Sequence, residues 1–82
     1  MPPAAPDQNI YARIVAILVE ARHAAGLRQV DLATRLGRAQ SFVSKYETRT
    51  RPLELVEYLE IAQALGQDPV ALLDKILELP SP

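Results

Sequence analysis

Eighty-two residues have room for one domain and one modest core, and the chain carries a net charge of −1 with 49% hydrophobic and only 5% aromatic residues. With no cysteine, disulfides, thiolate metal sites and thiol redox chemistry are excluded. No apolar run approaches the roughly 18 residues of a bilayer-spanning helix, and Met1–Pro6 lacks the basic region and apolar core of a signal peptide, so a cytoplasmic location is expected.

Met1 to about Gln8 is Pro-rich and is expected to be a disordered arm. Helix 1 is predicted from about Asn9 to Ala25, with Ile10, Ile14, Ile17, Leu18, Ala21 and Ala25 stepping by three and four until Gly26 stops it. Tyr11, Val15 and Val19 form a surplus apolar stripe on the same helix. Gln29–Leu36 and Gln40–Thr48 then read as two short helices broken by a tight turn at Gly37. The first carries Val30, Leu32, Ala33 and Leu36 as apolar positions. The second is expected to bury Val43 and Tyr46 and to turn Gln40, Ser41, Ser44 and Lys45 outward. Two helices crossing steeply need a small residue where they nearly touch, here Ala33, and a glycine able to take positive φ between them. An exposed face of amide, hydroxyl and ammonium suits base edges, because glutamine pairs bidentately with adenine and serine can donate or accept. This helix-turn-helix pattern makes double-stranded DNA the expected partner.

Arg49–Pro52 reads as a loop, since Pro52 biases Arg51 away from helical backbone. Helix 4 is expected from about Glu54 to Leu65, burying Leu55, Tyr58, Leu59, Ala62 and Leu65, with Gly66 at its end. Asp68 then caps a helix that has Pro69 in its first position and runs to about Leu79, leaving residues 80–82 as a tail. Helix 5 has more apolar residues than one stripe needs. Leu73, Ile76 and Leu77 are assigned to the monomer core, and Leu72, Ile76 and Leu79 to an isologous dimer interface; a larger monomer core is the alternative. The fold class expected is all-α, with five helices.

The small net charge conceals a strong polarity. Residues 22–51 hold Arg22, Arg28, Arg35, Arg38, Lys45, Arg49 and Arg51 against Asp31 and Glu47, a net +5. Residues 52–82 hold Lys75 against Glu54, Glu57, Glu60, Asp68, Asp74 and Glu78, a net −5. Such a distribution fits one DNA-facing side and one side turned away. Glu54, Glu57 and Glu60 read as a solvated helical face. His23 has no second histidine or cysteine nearby to make a metal site, and Ser41 and Ser44 have no positioned histidine. No catalytic residue, metal or cofactor is expected.

Residues from about 14 to 73 resemble the lambda-repressor-like DNA-binding domains of the Cro/XRE type. The matching motifs are Arg22 to Gln29, Asp31 to Gly37, Gln40 to Glu47 and Ile61 to Gly66, in that order. The resemblance implies a recognition helix at about 40–48 in the major groove. It also implies a homodimer on a palindromic operator with half-sites roughly 34 Å apart. It carries base reading to Gln40, Ser41, Ser44 and Lys45, with Gln29 bracing Gln40 and touching phosphate. Backbone contacts fall to Arg28, Gln29, Arg38, Thr48, Arg49, Thr50 and Arg51. Arg22 and Glu47 match a buried ion pair joining helix 1 to helix 3, where loss of one partner costs about 3–5 kcal/mol.

Four positions depart from that pattern. Arg28 and Ala39 stand where the family prefers a capping side chain, so weak caps are expected on helices 2 and 3. Arg38 replaces an apolar turn residue and is expected to reach toward the DNA side. Arg49 stands where glycine is common, and left-handed backbone there costs about 1 kcal/mol or more. Phe42 could meet thymine methyls or pack under helix 4. The function expected is a DNA-binding transcriptional regulator, a repressor by steric occupancy. The alternatives are an antitoxin of a toxin–antitoxin pair and a protein-interaction module. A protein partner such as a toxin or a polymerase subunit therefore remains open.

Overall fold

The computed structural model describes residues 6–78. Within them lie α1 (Pro6–Ala24), α2 (Gln29–Leu36), α3 (Gln40–Glu47), α4 (Leu55–Ala64) and α5 (Pro69–Leu77), with no strand among the described residues. The all-α expectation holds. α1 begins earlier than its apolar periodicity indicates, at a proline whose fixed φ and missing N–H suit a first helical turn. Positions 6–8 of the expected disordered arm are thus helical, while residues 1–5, Leu79 and the tail lie outside the described residues.

Local chemistry explains where the helices start and stop. Arg28 offers α2 no side-chain acceptor. Asp31, three residues on, takes the Arg28 backbone N–H at 2.8 Å and its guanidinium at 3.0 Å. The N-terminus expected to be poorly capped is therefore closed from within the helix. These bonds, the guanidinium's first and the backbone N–H's next, pull the Asp31 carboxyl down to about 2. Ala39 makes no side-chain cap bond to α3, as its chemistry requires. Gly37, at φ 67°, lets the Gly37 and Arg38 amides turn back onto the Thr34 and Ala33 carbonyls. Glu57 Oε1 accepts the Glu54 amide at 2.9 Å to start α4, and Asp68 Oδ1 accepts the Val70 amide at 2.9 Å to start α5.

Leu18, Leu32, Val43, Tyr46, Ile61, Leu72 and Ile76 form the centre of the core. The inward faces of the last two helices differ from the stripes expected. α4 buries Tyr58, Ile61 and Ala62, with Leu65 just beyond it, whereas Leu55 is 70% exposed and Leu59 also faces out. α5 turns Leu72 and Ile76 into the core at 2% exposure each, and leaves Leu73 half open and Leu77 61% exposed. The assignment of Leu72 and Ile76 to a dimer interface is therefore corrected: both close the monomer. The rotation follows from the anchor of α5, since the Tyr58 hydroxyl donates to the Pro69 carbonyl at 2.7 Å and pins its first turn to α4. From that anchor the pair four residues apart, Leu72 and Ile76, points between α1 and α4. Val15 likewise joins the core rather than a surplus stripe, while Ile10, Ala25 and Val30 are exposed.

Two longer ties complete the frame. Arg35 Nη1 donates to the Ala64 carbonyl at 3.0 Å, joining α2 to the end of α4. Arg13 donates to the Lys75 and Glu78 carbonyls, so α1 supplies charge at the negative end of α5. The Tyr46 hydroxyl is fully buried with no hydrogen-bond partner among the described residues, and burial pushes its pKa up. Removing an unpaired buried hydroxyl relieves its desolvation. Tyr46→Phe is expected to stabilise the domain by about 1 kcal/mol, raising the thermal midpoint by about 4–8 °C. A lowered midpoint would show that the hydroxyl is held in place by a bond.

Candidate nucleic-acid interface

The site is built outward from a buried charge. Arg22, in the last turns of α1, is 7% exposed. Its Nε donates to Glu47 Oε2 at 2.7 Å, its Nη2 to Glu47 Oε1 at 2.9 Å, and its Nη1 to the Leu27 carbonyl at 2.8 Å. The ion pair implied by the resemblance is thus present as a two-pronged fork, and Arg22 is held further above its ordinary pKa by the Glu47 carboxylate. Glu47 ends α3, so the fork fixes where that helix lies on α1. Glu47 Oε1 also accepts Gln29 Nε2 at 2.9 Å, and Gln29 Oε1 faces Gln40 Nε2 at 3.5 Å. One bonded chain therefore runs from α1 through the end of α3 and the start of α2 to the first residue of α3. Next to it, the exposed His23 approaches Arg22 Nη2 at 3.2 Å.

α3 is two-faced, as its sequence indicates. Val43 and Tyr46 are fully buried, and Gln40, Ser41 and Lys45 are exposed with Ser44 half-buried beside them. All four candidate base-reading residues share the outward face of α3.

The loop after α3 divides the expected backbone contacts into two sets. Thr48 Oγ1 donates to the Ser44 carbonyl at 2.8 Å and Thr50 Oγ1 to the Lys45 carbonyl at 3.0 Å. The two hydroxyls also face each other at 3.1 Å, so both sit against the C-terminus of α3. Arg49 stands in the left-handed region at φ 62°, its side chain exposed. Neither Arg49 nor Lys45 has a carboxylate partner among the described residues. Arg28 is bonded to Asp31, yet its side chain stays 78% exposed.

Arg38 and Arg51 are both engaged within the domain. Arg51 grips Glu57 with two bonds of 2.8 Å, and Arg38 reaches Glu60 at 3.2 Å and Glu57 at 3.8 Å. Their guanidinium carbons sit 4.9 Å and 4.5 Å from the centre of the Phe42 ring. Phe42 thus packs on the core edge under two cations, its ring 5.6 Å from that of Tyr46. Two carboxylates and an aromatic face hold Arg38, so a reach toward phosphate would compete with these partners. Glu57, read as part of a solvated face, is 4% exposed. The Arg51 fork, then the Glu54 amide, pulls its carboxyl down to about 2 from an ordinary 4.5. A glutamate three residues after the start of a helix was the available sequence signal, since that position accepts the cap amide.

A family model described as a helix-turn-helix domain matches residues 14–75. The chain belongs to this helix-turn-helix family. Among solved structures, an XRE-family like protein from Pseudomonas syringae pv. tomato str. DC3000 is similar at 46% identity, with 85% of each chain covered and a TM-score of 0.83. No curated protein matches. As a Cro/XRE-type helix-turn-helix domain, the chain has the fold of a DNA-binding regulator, and no described helix is long and apolar enough to cross a membrane.

The Glu57 cluster sets an acid limit on this domain. A carboxyl with a lowered folded pKa stabilises fully above its unfolded value, and that stability is lost as pH falls through the folded one. Thermal stability is expected to drop as pH falls from 4.5 toward 2. Glu57→Gln should lower stability near neutral pH by about 1–2 kcal/mol, with partly solvent-exposed partner guanidiniums limiting the loss. It should also lessen the acid limb of a melting-temperature profile, leaving the part that Asp31 contributes; an unchanged limb would remove Glu57 as a source.

Proposed function

We propose that this domain is a sequence-specific, double-stranded DNA-binding transcriptional regulator, a repressor, acting as a cytoplasmic homodimer on a palindromic operator. The observation that carries the reading is α3 itself. Its inner face is locked into the core by Val43 and Tyr46, and its outer face offers Gln40, Ser41, Ser44 and Lys45. A rigid helix with that outer chemistry matches the donor and acceptor pattern of major-groove base edges. Lys45, Arg49 and the open side chain of Arg28 supply cations for phosphate. Repression follows from occupancy alone, with no chemistry required of the protein.

For the dimer, the corrected faces of α4 and α5 supply a surface. Leu55, Val56 and Leu59 line one exposed stripe, and Val70, Leu73 and Leu77 another. Leu55 and Leu73 meet in a cleft of about 260 Å³ shared with Tyr11, Ile14, Leu53 and Tyr58. An apolar surface of this kind is the mark of an interface, and a two-fold axis through it pairs the same residues on both copies.

Selection from a random DNA library is expected to recover a palindrome with half-sites about one helical turn, roughly 34 Å, apart. Leu73→Glu with Leu77→Glu should reduce the recovered site to one half. Gln40→Ala should cost about 1–3 kcal/mol at a single base pair per half-site. No enrichment at low salt would overturn DNA reading and favour a protein-interaction role centred on the apolar stripes.

The cations separate by a salt titration. Arg49→Ala should lessen the slope of log affinity against log salt by about 0.9 for each phosphate that Arg49 neutralises. Arg51→Ala should leave the slope unchanged and lower the melting temperature, because its charge already serves Glu57. The opposite assignment of slopes would place Arg51, not Arg49, on the phosphate.

A further inference from the structure

We propose that Glu60 discriminates between a seated and a loosely bound DNA duplex, by keeping Arg38 from phosphate until α3 lies in the major groove. The inference rests on the DNA-reading role of α3 given above. Arg38 and Arg51 share one cluster, yet they are held unequally. Arg51 commits two bonds of 2.8 Å to the buried Glu57. Arg38 has one bond, at 3.2 Å, to the exposed Glu60, and stands 3.8 Å from Glu57. Its departure strands no buried charge. Glu57 keeps both Arg51 bonds and the Glu54 amide, and Phe42 keeps the Arg51 guanidinium at 4.9 Å. Glu60 returns to water. Arg38 is therefore the exchangeable cation of the cluster, and Arg51 the fixed one.

The place of Arg38 decides when the exchange happens. It stands in the turn joining α2 to α3, two residues before Gln40. With α3 in the groove and α2 across the backbone, that turn lies where the chain passes over the phosphates. Exposed ion pairs are weak, so a carboxylate and a phosphate are close rivals for one guanidinium, and position chooses between them. On DNA without the operator α3 docks in no fixed register, and Glu60, tethered on α4, keeps Arg38. On the operator, base contacts from α3 hold one phosphate beside the turn, and Arg38 moves onto it. Phosphate contacts carry no sequence information of their own. Glu60 gives this one a dependence on sequence, by withholding it until the bases have been matched. An apolar residue, usual at this turn position, offers no such cation, so the device belongs to this chain rather than to the fold.

The test is a salt titration of the full chain on two duplexes, the operator that the wild type selects and a fragment of scrambled sequence. On the operator, Arg38→Ala should lessen the slope of log affinity against log salt by about 0.9 for each copy bound. On the scrambled fragment it should leave the slope unchanged. Glu60→Gln should do the reverse, steepening the slope on the scrambled fragment by about 0.9 per copy and leaving the operator slope as it was. Operator affinity should rise about 1.5- to 5-fold per copy, the worth of one exposed ion pair. With Arg38→Ala also present, Glu60→Gln should leave the scrambled-fragment slope unchanged, which separates release of Arg38 from the mere loss of a negative charge. Slopes that do not differ between the two duplexes, or a Glu60→Gln effect that survives Arg38→Ala, overturn the discrimination. A wild type that selects no operator overturns the reading of α3 itself, and this role of Glu60 with it.

Discussion

Two helices and the turn between α1 and α2 are held in register by the Arg22 guanidinium, which donates to two oxygens of one carboxylate at the end of α3 and to the Leu27 carbonyl beyond α1. A buried guanidinium is tolerated only when its donors are met, and a buried carboxylate only when its lone pairs are. Satisfying both in one place requires α1, the α1–α2 turn and α3 to arrive together. The remaining acceptance at Glu47 then orders Gln29, and through it the start of α3. A single buried pair so links the closing of the core to the orientation of the outer face of α3, the surface proposed to read DNA.

The charge map of the sequence takes a different meaning in three dimensions. The basic middle and acidic end are not simply opposite poles, because the two stretches bond to each other where the loop after α3 meets α4. Arg38 and Arg51 from the basic stretch close on Glu57 and Glu60 from the acidic one, with Phe42 beneath them. Part of the apparent DNA-facing charge is thereby turned to intramolecular use. The cations left without a carboxylate near α3, Lys45 and Arg49, lie along its C-terminal half and the adjoining loop. On the proposed reading, phosphate attraction in this domain would be local, as suits a chain whose net charge is −1.

Much of this was legible in the residues. The bounds of α2, the turn at Gly37, the two faces of α3, the Asp68–Pro69 start of α5 and the Arg22–Glu47 pair all follow from patterns of short range or from the family motif. The faces of α4 and α5 did not follow. Both helices carry apolar residues nearly all round, so a three-and-four stripe can be drawn in more than one rotation. What chooses the rotation is a bond between helices, Tyr58 to Pro69, and no periodicity within one helix encodes it. Glu57 was missed for a related reason. Its spacing from Glu54 and Glu60 looks like a wet face, while its burial depends on two arginines brought from another part of the chain.

The clasp of Arg13 on the carbonyls of α5 bears on how the domain assembles. Pairings among α2, α3 and α4 join neighbours in the chain, whereas α1 and α5 meet across nearly its whole length. Closing so long a loop carries the largest entropic cost of any pairing here, and the burial of Leu72 and Ile76 offsets it. The helix that bears Arg22 is thus held from both directions along the sequence, by Glu47 on one side and by the last described helix on the other.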